Sequence, residues 1–428
     1  MKILRLLLFF FTLLLLRSQQ LHAGYFPTPL AMPDDSGHFF QLGPDTLWGG
    51  GVFYEEGSGS GGFNGSDQRR PLGALYSDKE SFLTMLRSPQ ADIRTKLAGT
   101  IDPRLLTAPD LGGRRGAIDI TGHIFHRQIT LGGTTNLRFI KILPGIADLA
   151  LYIPFVNKRF DAVNLKLRPF EAVDVVDLAL EGLTQDIPGF LQRVGDLNTE
   201  GWQGGGVGDP TIILRWNWYR PFEGGDIRNV ATHLYFGFSL PLSKQKDEDK
   251  LFSLPLGSDG HWGIPFGGSF ELLFAAPIKI GMAADLLWQV AESRPRRVKT
   301  DINQTSLLLL HKALTQRKPG LTWRAHWFAE GVHLWRGLSV LGGYEFVMHH
   351  NDELHTAVEG FRSEIINTAE TTQNWYVHTI TSALKYDLSA EFAGAPVAPF
   401  IEGFLKFPVS GRRVVNASTV GMQVVIRF

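Results

Sequence analysis

The last nine residues of the chain, Val420 to Phe428 with the sequence VGMQVVIRF, decide the fold class. Side chains along a β-strand point alternately to opposite faces. Every second residue from Val420 to Phe428 is apolar, whereas the residues between them include Gln423 and Arg427. The pattern predicts a strand that presents one complete apolar face and ends on an aromatic carboxy-terminal residue.

An apolar face that ends on a terminal Phe resembles the closing strand of bacterial outer-membrane β-barrels. In that family the final aromatic residue belongs to the signal that the barrel-insertion machinery reads. The resemblance implies that Val424, Ile426 and Phe428 form a membrane-insertion signal. It also implies that the partners of the chain are outer-membrane lipid and the insertion machinery.

The composition excludes several functional classes. The 428 residues include 42 Lys and Arg against 42 Asp and Glu, so the chain lacks the basic footprint of a nucleic-acid-binding protein. The absence of Cys excludes disulfides, thiolate metal sites and a Cys nucleophile. A soluble chain of this length would form two or three domains, whereas a barrel of tilted spanning strands uses it as one.

The amino-terminal segment predicts export. Lys2 and Arg5 precede an apolar run at residues 6–16, and small residues follow near Ala23, so residues 1–23 are expected to form a cleaved signal peptide. A run of eleven residues is too short to span a membrane as a helix. Residues 24–114 do not alternate, and we expect them to form an amino-terminal extension that either plugs the lumen or lies in the periplasm. Within it, the short apolar piece Trp48 to Tyr54 is a candidate strand, but its three consecutive glycines weaken that assignment.

Residues 115–428 alternate apolar and polar side chains in segments of about ten residues, the length and period of tilted membrane strands. The expected fold is therefore all-β, a transmembrane antiparallel up-and-down barrel of about twelve strands, with fourteen as the alternative. Helical insertions are expected in its outer loops, at residues 170–183 and 188–194 and as a short helix at residues 307–310. Ahead of a long insert at 169–206, the three predicted strands lie near residues 116–127, 131–142 and 147–160.

The lengths of the predicted connections set the orientation of the barrel. If Phe428 lies on the periplasmic side, every long connection falls on the outer side, and the strand count is even. The predicted long connections are residues 242–262, 292–318 and 350–372, and the predicted short turns include residues 221–228, 275–277, 333–336 and 389–396.

Charged side chains keep to one face of the predicted strands, which we expect to face the lumen. These lumen-facing candidates are Arg215, Glu271, Lys279, Asp285, Arg324, His326, Glu330, Glu345, Lys385, Glu402, Lys406 and Arg427. Their mixed signs argue against a strong anion or cation filter. These charges either are hydrated and paired along the lumen wall, with no further role, or form a polar pathway for a solute.

The sequence GGGVGDP at Gly204 to Pro210 has the composition of a phosphate-binding glycine loop. No helix follows it, so the helix amino terminus that makes such loops bind anions is missing. The motif resembles the glycine–Asp element that opens a strand in hydrophobic-compound transporter barrels of the phenol-degradation and FadL-like kind. This resemblance implies that small apolar or aromatic solutes diffuse through the barrel.

Neither catalytic residues, nor metal ligands, nor a cofactor site are predicted. The stretch MHHNDELH gathers His349, His350, Asp352 and His355, but its spacing matches no established zinc motif. No serine lies in the G-x-S-x-G context of a nucleophile elbow.

Three functions remain open from the sequence. The first is a porin-like channel or transporter for passive passage of small solutes across the outer membrane of a Gram-negative bacterium. The second is a closed structural or adhesin-type barrel that acts through its outer loops, and the third is a membrane-embedded hydrolase. The sequence leaves the oligomeric state open.

Overall fold

The structure is a computed structural model that describes residues 48–75, 80–86, 95–97, 99–108, 116–137, 145–168, 174–305, 307–389 and 397–427. The predicted signal peptide and the terminal Phe428 lie outside these ranges. Within them, no helix has the length and the hydropathy of a membrane span.

The described residues contain twenty strands and four α-helices. The strands are β1 (Trp48–Gly59), β2 (Gly61–Phe63), β3 (Arg69–Pro71), β4 (Glu80–Ser81), β5 (Ala117–Asn136), β6 (Ile146–Leu167), β7 (Trp202–Val207), β8 (Thr211–Pro221), β9 (Ile227–Ser239), β10 (Gly263–Phe274), β11 (Ile278–Gln289), β12 (Glu292–Arg297), β13 (Lys312–Lys318), β14 (Thr322–Trp335), β15 (Leu338–His349), β16 (Glu353–His355), β17 (Trp375–Asp387), β18 (Ala398–Arg412), β19 (Val414–Val415) and β20 (Thr419–Arg427). The helices are α1 (Phe82–Leu86), α2 (Val175–Thr184), α3 (Ile187–Gly195) and α4 (Ser363–Ile366).

Twelve of these strands form a closed antiparallel barrel, which confirms the predicted fold class and the lower of the two predicted strand counts. In spatial order they are β1, β20, β18, β17, β15, β14, β11, β10, β9, β8, β6 and β5. Strand β1 pairs with β20 on one edge and with β5 on the other, so the ring closes between the first and last strands.

Two strand assignments differ from the prediction. Two predicted strands are one strand and one strand was not counted, so the total of twelve is unchanged. The predicted strands at 116–127 and 131–142 are one continuous strand, β5, of twenty residues. The missing strand is β1, which lies inside the segment 24–114 that was predicted to be an extension, so part of that segment belongs to the barrel. Glycines obscured β1, because Gly49 to Gly51 weaken strand propensity. The predicted break in β5 fell at residues 128–130, where the buried polar side chains of Gln128 and Thr130 continue the inward face of a single strand. In the barrel, Gly51 pairs directly with Gly132.

All long connections between barrel strands leave from one end, as the alternation of connection lengths predicts. They span residues 60–116, 168–210, 240–262, 290–321 and 350–374. The opposite end carries the short connections 137–145, 222–226, 275–277, 336–337 and 388–397. We call the first the long-loop end; in outer-membrane barrels the longer loops lie outside the cell.

Burial along the strands is inverted relative to a soluble protein. Large apolar side chains face outward, and Leu214, Leu234 and Phe236 are each about half exposed. The alternate positions face inward, and many of them are polar or charged. Two clusters of apolar side chains also lie inside, one around Phe53 and Phe400 and the other around Phe328 and Phe404. An outward apolar band over a largely polar interior is the arrangement of a barrel surrounded by lipid.

The connections at the long-loop end pack into a cap with its own apolar core. Described residues in 72–108, 174–197, 251–254 and 307–310 contribute to this core. Phe190 of α3 packs against Phe82 of α1, and Phe160 of β6 stacks on Phe252 with ring centroids 4.1 Å apart. Residues 307–310 were predicted to form a short helix, but they are irregular, and Leu308 to Leu310 are buried in the cap.

Helices α2 and α3, which the sequence predicts within 170–194, begin at side-chain caps. The Asp174 carboxylate accepts hydrogen bonds from the backbone N–H groups of Val176 and Asp177, and it forms a reciprocal capping box with Asp177. Asp186 caps α3 by accepting from Gly189, and Pro188 occupies the first turn, where its missing N–H has no effect.

Ring closure can be tested with engineered cysteines, because the natural chain has none. Val52 of β1 lies directly opposite Val424 of β20. We expect Val52→Cys with Val424→Cys to form a disulfide under mild oxidation, because Cα atoms of paired antiparallel residues lie about 4.5–5.5 Å apart. Mass spectrometry of the refolded protein would detect the bond.

The matched control combines Val52→Cys with Ile380→Cys. Ile380 lies on β17, three strands away around the ring, or about 14 Å at the usual strand spacing. This pair should stay reduced. Equal cross-linking of both pairs, or of neither, would contradict the seam.

Candidate functional site

The inner wall of the barrel contains a buried ion-pair network centred on Asp148 of β6. The Arg215 guanidinium donates to the Asp148 carboxylate over 2.7 Å, and the Asn217 amide donates to its other oxygen over 2.6 Å. The Thr134 hydroxyl also donates to Asp148 over 3.2 Å. A buried carboxylate is tolerated when its lone pairs are satisfied in this way. Asp148 was not singled out from the sequence, although the strand alternation places it on the same face as Ala150.

A second group of charges centres on Lys279 of β11. Its ammonium group lies 2.7 Å from the Glu330 carboxylate and 3.6 Å from the Glu271 carboxylate. Lys279 and Glu330 face each other directly across β11 and β14. The three charges therefore connect the adjacent strands β10, β11 and β14.

A third group connects β11, β14 and β15. The Arg324 guanidinium lies 2.6 Å from the Asp285 carboxylate and 3.6 Å from that of Glu345. The Tyr235 hydroxyl of β9 donates a hydrogen bond to Asp285 as well. The sequence places Tyr235 on the polar face of its strand, but Tyr235 was not among the lumen-facing candidates because its phenol carries no charge.

The other predicted lumen residues are buried or partly buried on the wall. His326 is buried and lies 3.5 Å from the Thr381 hydroxyl. Glu402 is buried on β18, and the Lys406 ammonium group lies 5.6 Å from the centre of the Phe404 ring. The structure thus brings most of the predicted charges into ion pairs with charges of opposite sign. These ion pairs connect neighbouring strands of the barrel wall.

A cavity of about 270 Å³ lies at the long-loop end, beneath the cap. One side of it is apolar and is lined by residues that include Phe160, Leu251 and Phe252. The other side is charged and is lined by residues that include Asp259, His261, Arg296, Arg317 and Asp352. The cavity is therefore amphipathic, and it borders the barrel strands through Gln289 and Trp375.

Asp259 organises the charged side of this cavity. Its carboxylate accepts from Arg296 over 3.0 Å, from Arg317 over 3.4 Å and from Arg294. Burial alone would raise the pKa of Asp259, but the three guanidinium groups together hold this pKa below its usual range. The carboxylate is therefore ionised at neutral pH and holds strands β12 and β13 against the connection that carries it.

Asp352 is a second anchor on the charged side. Its carboxylate lies 2.6 Å from the Arg317 guanidinium, and it accepts from the Gly320 backbone N–H over 2.8 Å. His349 contacts Asp352 through Nε2 at 2.9 Å and the Thr322 hydroxyl through Nδ1 at 2.7 Å. The Thr322 hydroxyl, the His349 imidazole and the Asp352 carboxylate lie in a row like the groups of a catalytic triad. The Asp352 carboxylate is also bound by Arg317 and Gly320, which indicates a structural role. The row ties the three-stranded loop sheet β12–β13–β16 to the barrel wall.

The histidines of the stretch MHHNDELH, residues 348–355, do not come together in the structure. His349 and Asp352 meet, whereas His350 is exposed and His355 points to Glu353, 3.9 Å away. Across the described ranges, no three His, Asp or Glu side chains are grouped so that they could hold a metal ion.

The motif Gly204 to Pro210 is an anchor for a loop. Its residues 208–210 separate β7 from β8, which both pair with β6. The Asp209 carboxylate accepts from the backbone N–H of Ser243 over 2.9 Å and from the backbone and hydroxyl of Ser258, both at 2.5 Å. A Cβ at Gly257 would lie 2.3 Å from Asp209, so this close approach requires glycine. The motif thereby fixes the 240–262 connection that carries Asp259.

Removing the charge of Lys279 should destabilise the barrel. Lys279→Met removes the ammonium group that the buried Glu271 and Glu330 carboxylates contact, and breaking comparable buried pairs costs about 3 kcal/mol. Lys279→Arg keeps the charge and should lose much less. Urea unfolding in lipid vesicles, followed by tryptophan fluorescence, would measure both variants, and equal stability of the two would contradict the assigned pairing.

The loop sheet should loosen at acid pH. Burial alone would raise the pKa of Asp352, but the Arg317 charge and the hydrogen bonds from His349 and Gly320 hold it well below its usual range. Because the folded pKa lies below the unfolded value of about 3.9, the stabilisation is complete above that value and declines as the pH falls below about 4. Hydrogen exchange of residues 312–318 and 353–355, corrected for the intrinsic rate, should therefore rise between about pH 5 and pH 3.

Asp352→Asn is the matched control for this titration. The variant should exchange faster than the natural protein at about pH 5, and its pH dependence should be flatter. If exchange in the natural protein is the same at both pH values, Asp352 does not hold the sheet.

Comparisons with known proteins bear on the fold. A comparison with protein-family models gives no match, and a comparison with curated protein sequences gives none either. Among solved structures, the chain is similar to the COG4313 outer membrane channel from Pseudomonas putida F1, with a TM-score of 0.50 and 10% identity over 90% of this chain and 96% of that chain.

Two further structures are similar at lower TM-scores. The beta domain of the Bordetella autotransporter Brka gives a TM-score of 0.33 and 8% identity over 89% of this chain and 99% of that chain. A Pseudomonas aeruginosa FadL homologue gives 0.30 and 8% over 90% of each chain. The closed ring, the outward apolar band and the likeness to the P. putida structure agree: the chain has the fold of a bacterial outer-membrane β-barrel.

Proposed function

We propose that the chain is a channel of the bacterial outer membrane through which small solutes pass passively. The observation that carries this proposal is the inverted wall, with apolar side chains such as Leu234 outside and charges such as Glu271 and Lys279 inside. An interior with ionised groups is compatible with water and polar solutes, whereas a purely structural barrel could be filled with apolar side chains. The P. putida protein of similar fold is described as an outer membrane channel, which supports the same role.

The cavity beneath the cap is a suitable first binding place for a solute that enters from the long-loop end. Its apolar side, with Phe160 and Phe252, would contact a hydrocarbon or aromatic portion of the solute. Its charged side, with Arg296 and Arg317, would contact a polar group. Pockets of this mixed kind typically bind small organic molecules. The cavity is therefore suited to small amphipathic solutes.

The charges of the wall support weak rather than strong ion selectivity. Arg215, Lys279 and Arg324 each lie within ion-pair distance of a carboxylate on a neighbouring strand. Because paired charges cancel at a distance, they leave little net field to select one sign of ion.

A closed barrel that acts through its loops is the second candidate function. The observations that favour it are the apolar core of the cap and the aromatic clusters around Phe53 and Phe328 inside the barrel. Twelve strands enclose a narrow space, so a few aromatic side chains narrow it substantially. Permeation measurements distinguish the two candidates.

Liposome swelling tests the channel directly. Vesicles that contain the refolded chain should swell in neutral sugars, at rates that fall as the sugar becomes larger, because a twelve-stranded wall limits the pore. Lys406→Cys places a thiol on the inner face, and a bulky thiol reagent should then reduce swelling roughly twofold by narrowing the lumen.

The matched control is Phe407→Cys on the next, outward-facing position of β18. The same reagent should leave its swelling rate unchanged. Swelling no faster than in protein-free vesicles would overturn the channel and favour the closed barrel.

A further inference from the structure

The outer surface of the barrel wall carries a depression of about 440 Å³ near the long-loop end. It crosses six neighbouring strands, from β7 through β6, β5, β1 and β20 to β18. Its outward-facing lining includes Glu56, Phe125, Arg127, Arg159 and Phe407. A concave surface with charged groups is unexpected on the side of a barrel that faces lipid.

The position of the two arginines along the strands sets their depth in the membrane. On β5, Arg127 is the next outward residue after the exposed apolar pair Leu131 and Ile129. On β6, Arg159 follows Phe155 by two outward positions. Charges on the lipid face are strongly unfavourable at the middle of the membrane and nearly neutral at its interface. The depression therefore lies at the edge of the apolar band, at the level of lipid headgroups.

Neighbouring side chains hold both guanidinium groups in place. Arg127 lies 3.1 Å from the Glu56 carboxylate, which also accepts from the Tyr54 hydroxyl over 2.5 Å. The Arg159 guanidinium lies 4.4 Å from the centre of the Phe125 ring and 2.9 Å from the Asp161 carboxylate.

Both arginine side chains nevertheless remain accessible, with 63% of Arg127 and 45% of Arg159 exposed. A guanidinium group carries five N–H donors, of which one carboxylate can use at most about two. Each arginine therefore has donors left for a further anion in the depression.

We propose that this depression binds the phosphate group of an anionic lipid in the leaflet at the long-loop end. The forked donors of Arg127 and Arg159 match phosphate oxygens, and Phe407 and Leu405 contact the first methylenes of an acyl chain. Glu56 and Asp161 each balance the charge of one guanidinium group, so the phosphate is held by the remaining N–H donors of Arg127 and Arg159 rather than by a net positive charge. The site does not depend on whether the barrel conducts.

Native mass spectrometry of the refolded full chain in a non-ionic detergent tests this site. The probes are phosphatidylglycerol and a diacylglycerol with the same acyl chains, which lacks the phosphate. We expect phosphatidylglycerol to bind about tenfold more tightly, because only it offers the charge-assisted contacts. Arg127→Gln with Arg159→Gln should remove that preference, and millimolar inorganic phosphate should leave the bound lipid in place.

The matched control is Arg220→Gln. Arg220 is also an exposed arginine beside an aromatic ring, 5.2 Å from the centre of Phe222, but it lies at the opposite end of the barrel. The control should keep the preference for phosphatidylglycerol. Heat-modifiable gel migration reports whether each variant is folded, and if the double variant is not, Arg127→Lys with Arg159→Lys replaces it and should bind more weakly than the natural protein.

Three results would overturn the site. They are equal binding of the two lipids by the natural protein, an unchanged preference in the folded double variant, and displacement of the lipid by inorganic phosphate, which would indicate a site for free anions.

Discussion

The fold depends on the requirement that every backbone N–H and C=O group in the membrane has a partner. Lipid offers no hydrogen bonds, so a sheet can span it only as a closed ring without edges. Here the ring closes where β1 pairs with β20, in a register that runs from Gly49 opposite Arg427 to Gly57 opposite Thr419. Strand β1 is rich in glycine and would be weak alone, but neighbours on both edges fix it. Because β1 lies within residues 24–114, deleting that segment would open the ring.

Closure also determines where the charges go. Outward positions contact lipid, so ionised side chains are stable on the strands only inside the barrel or at the level of the headgroups. Inside, Arg215, Lys279 and Arg324 pair with carboxylates of neighbouring strands. At the headgroup level, Arg127 and Arg159 face outward. Arginine side chains thus connect neighbouring strands inside the barrel, and on the outer surface they are available to lipid.

At the long-loop end, which lies in water, buried carboxylates also join separate segments of the chain. Asp209, Asp259 and Asp352 each accept several hydrogen bonds from segments that are distant in the chain. They fix the loop sheet and the 240–262 connection over the barrel opening, while the apolar core of the cap packs beside them. The result is an amphipathic cavity whose lining segments are joined by these hydrogen bonds.

The sequence predicts the barrel well because its signals are local. Alternation with period two and the lengths of connections can be read from neighbouring residues, and they yield the twelve strands and the single long-loop end. Strand β1 was only a weak candidate at Trp48 to Tyr54, because its glycines erase the alternation and pairing with β5 and β20 fixes it. Asp148 was missed because β6 carries apolar residues on both faces beside it, such as Leu149 and Ala150, so the alternation there is weak. The signal peptide and the insertion signal at Phe428 stay predictions.

We propose that this wall surrounds a water-filled path, and the current through a single refolded barrel in a planar lipid bilayer tests that proposal most directly. We predict discrete steps of current that scale linearly with voltage and differ little between salts of large anions and large cations, because the inner charges are paired. A bilayer that contains folded protein, verified by heat-modifiable migration, and yet shows no steps at any voltage would contradict the account.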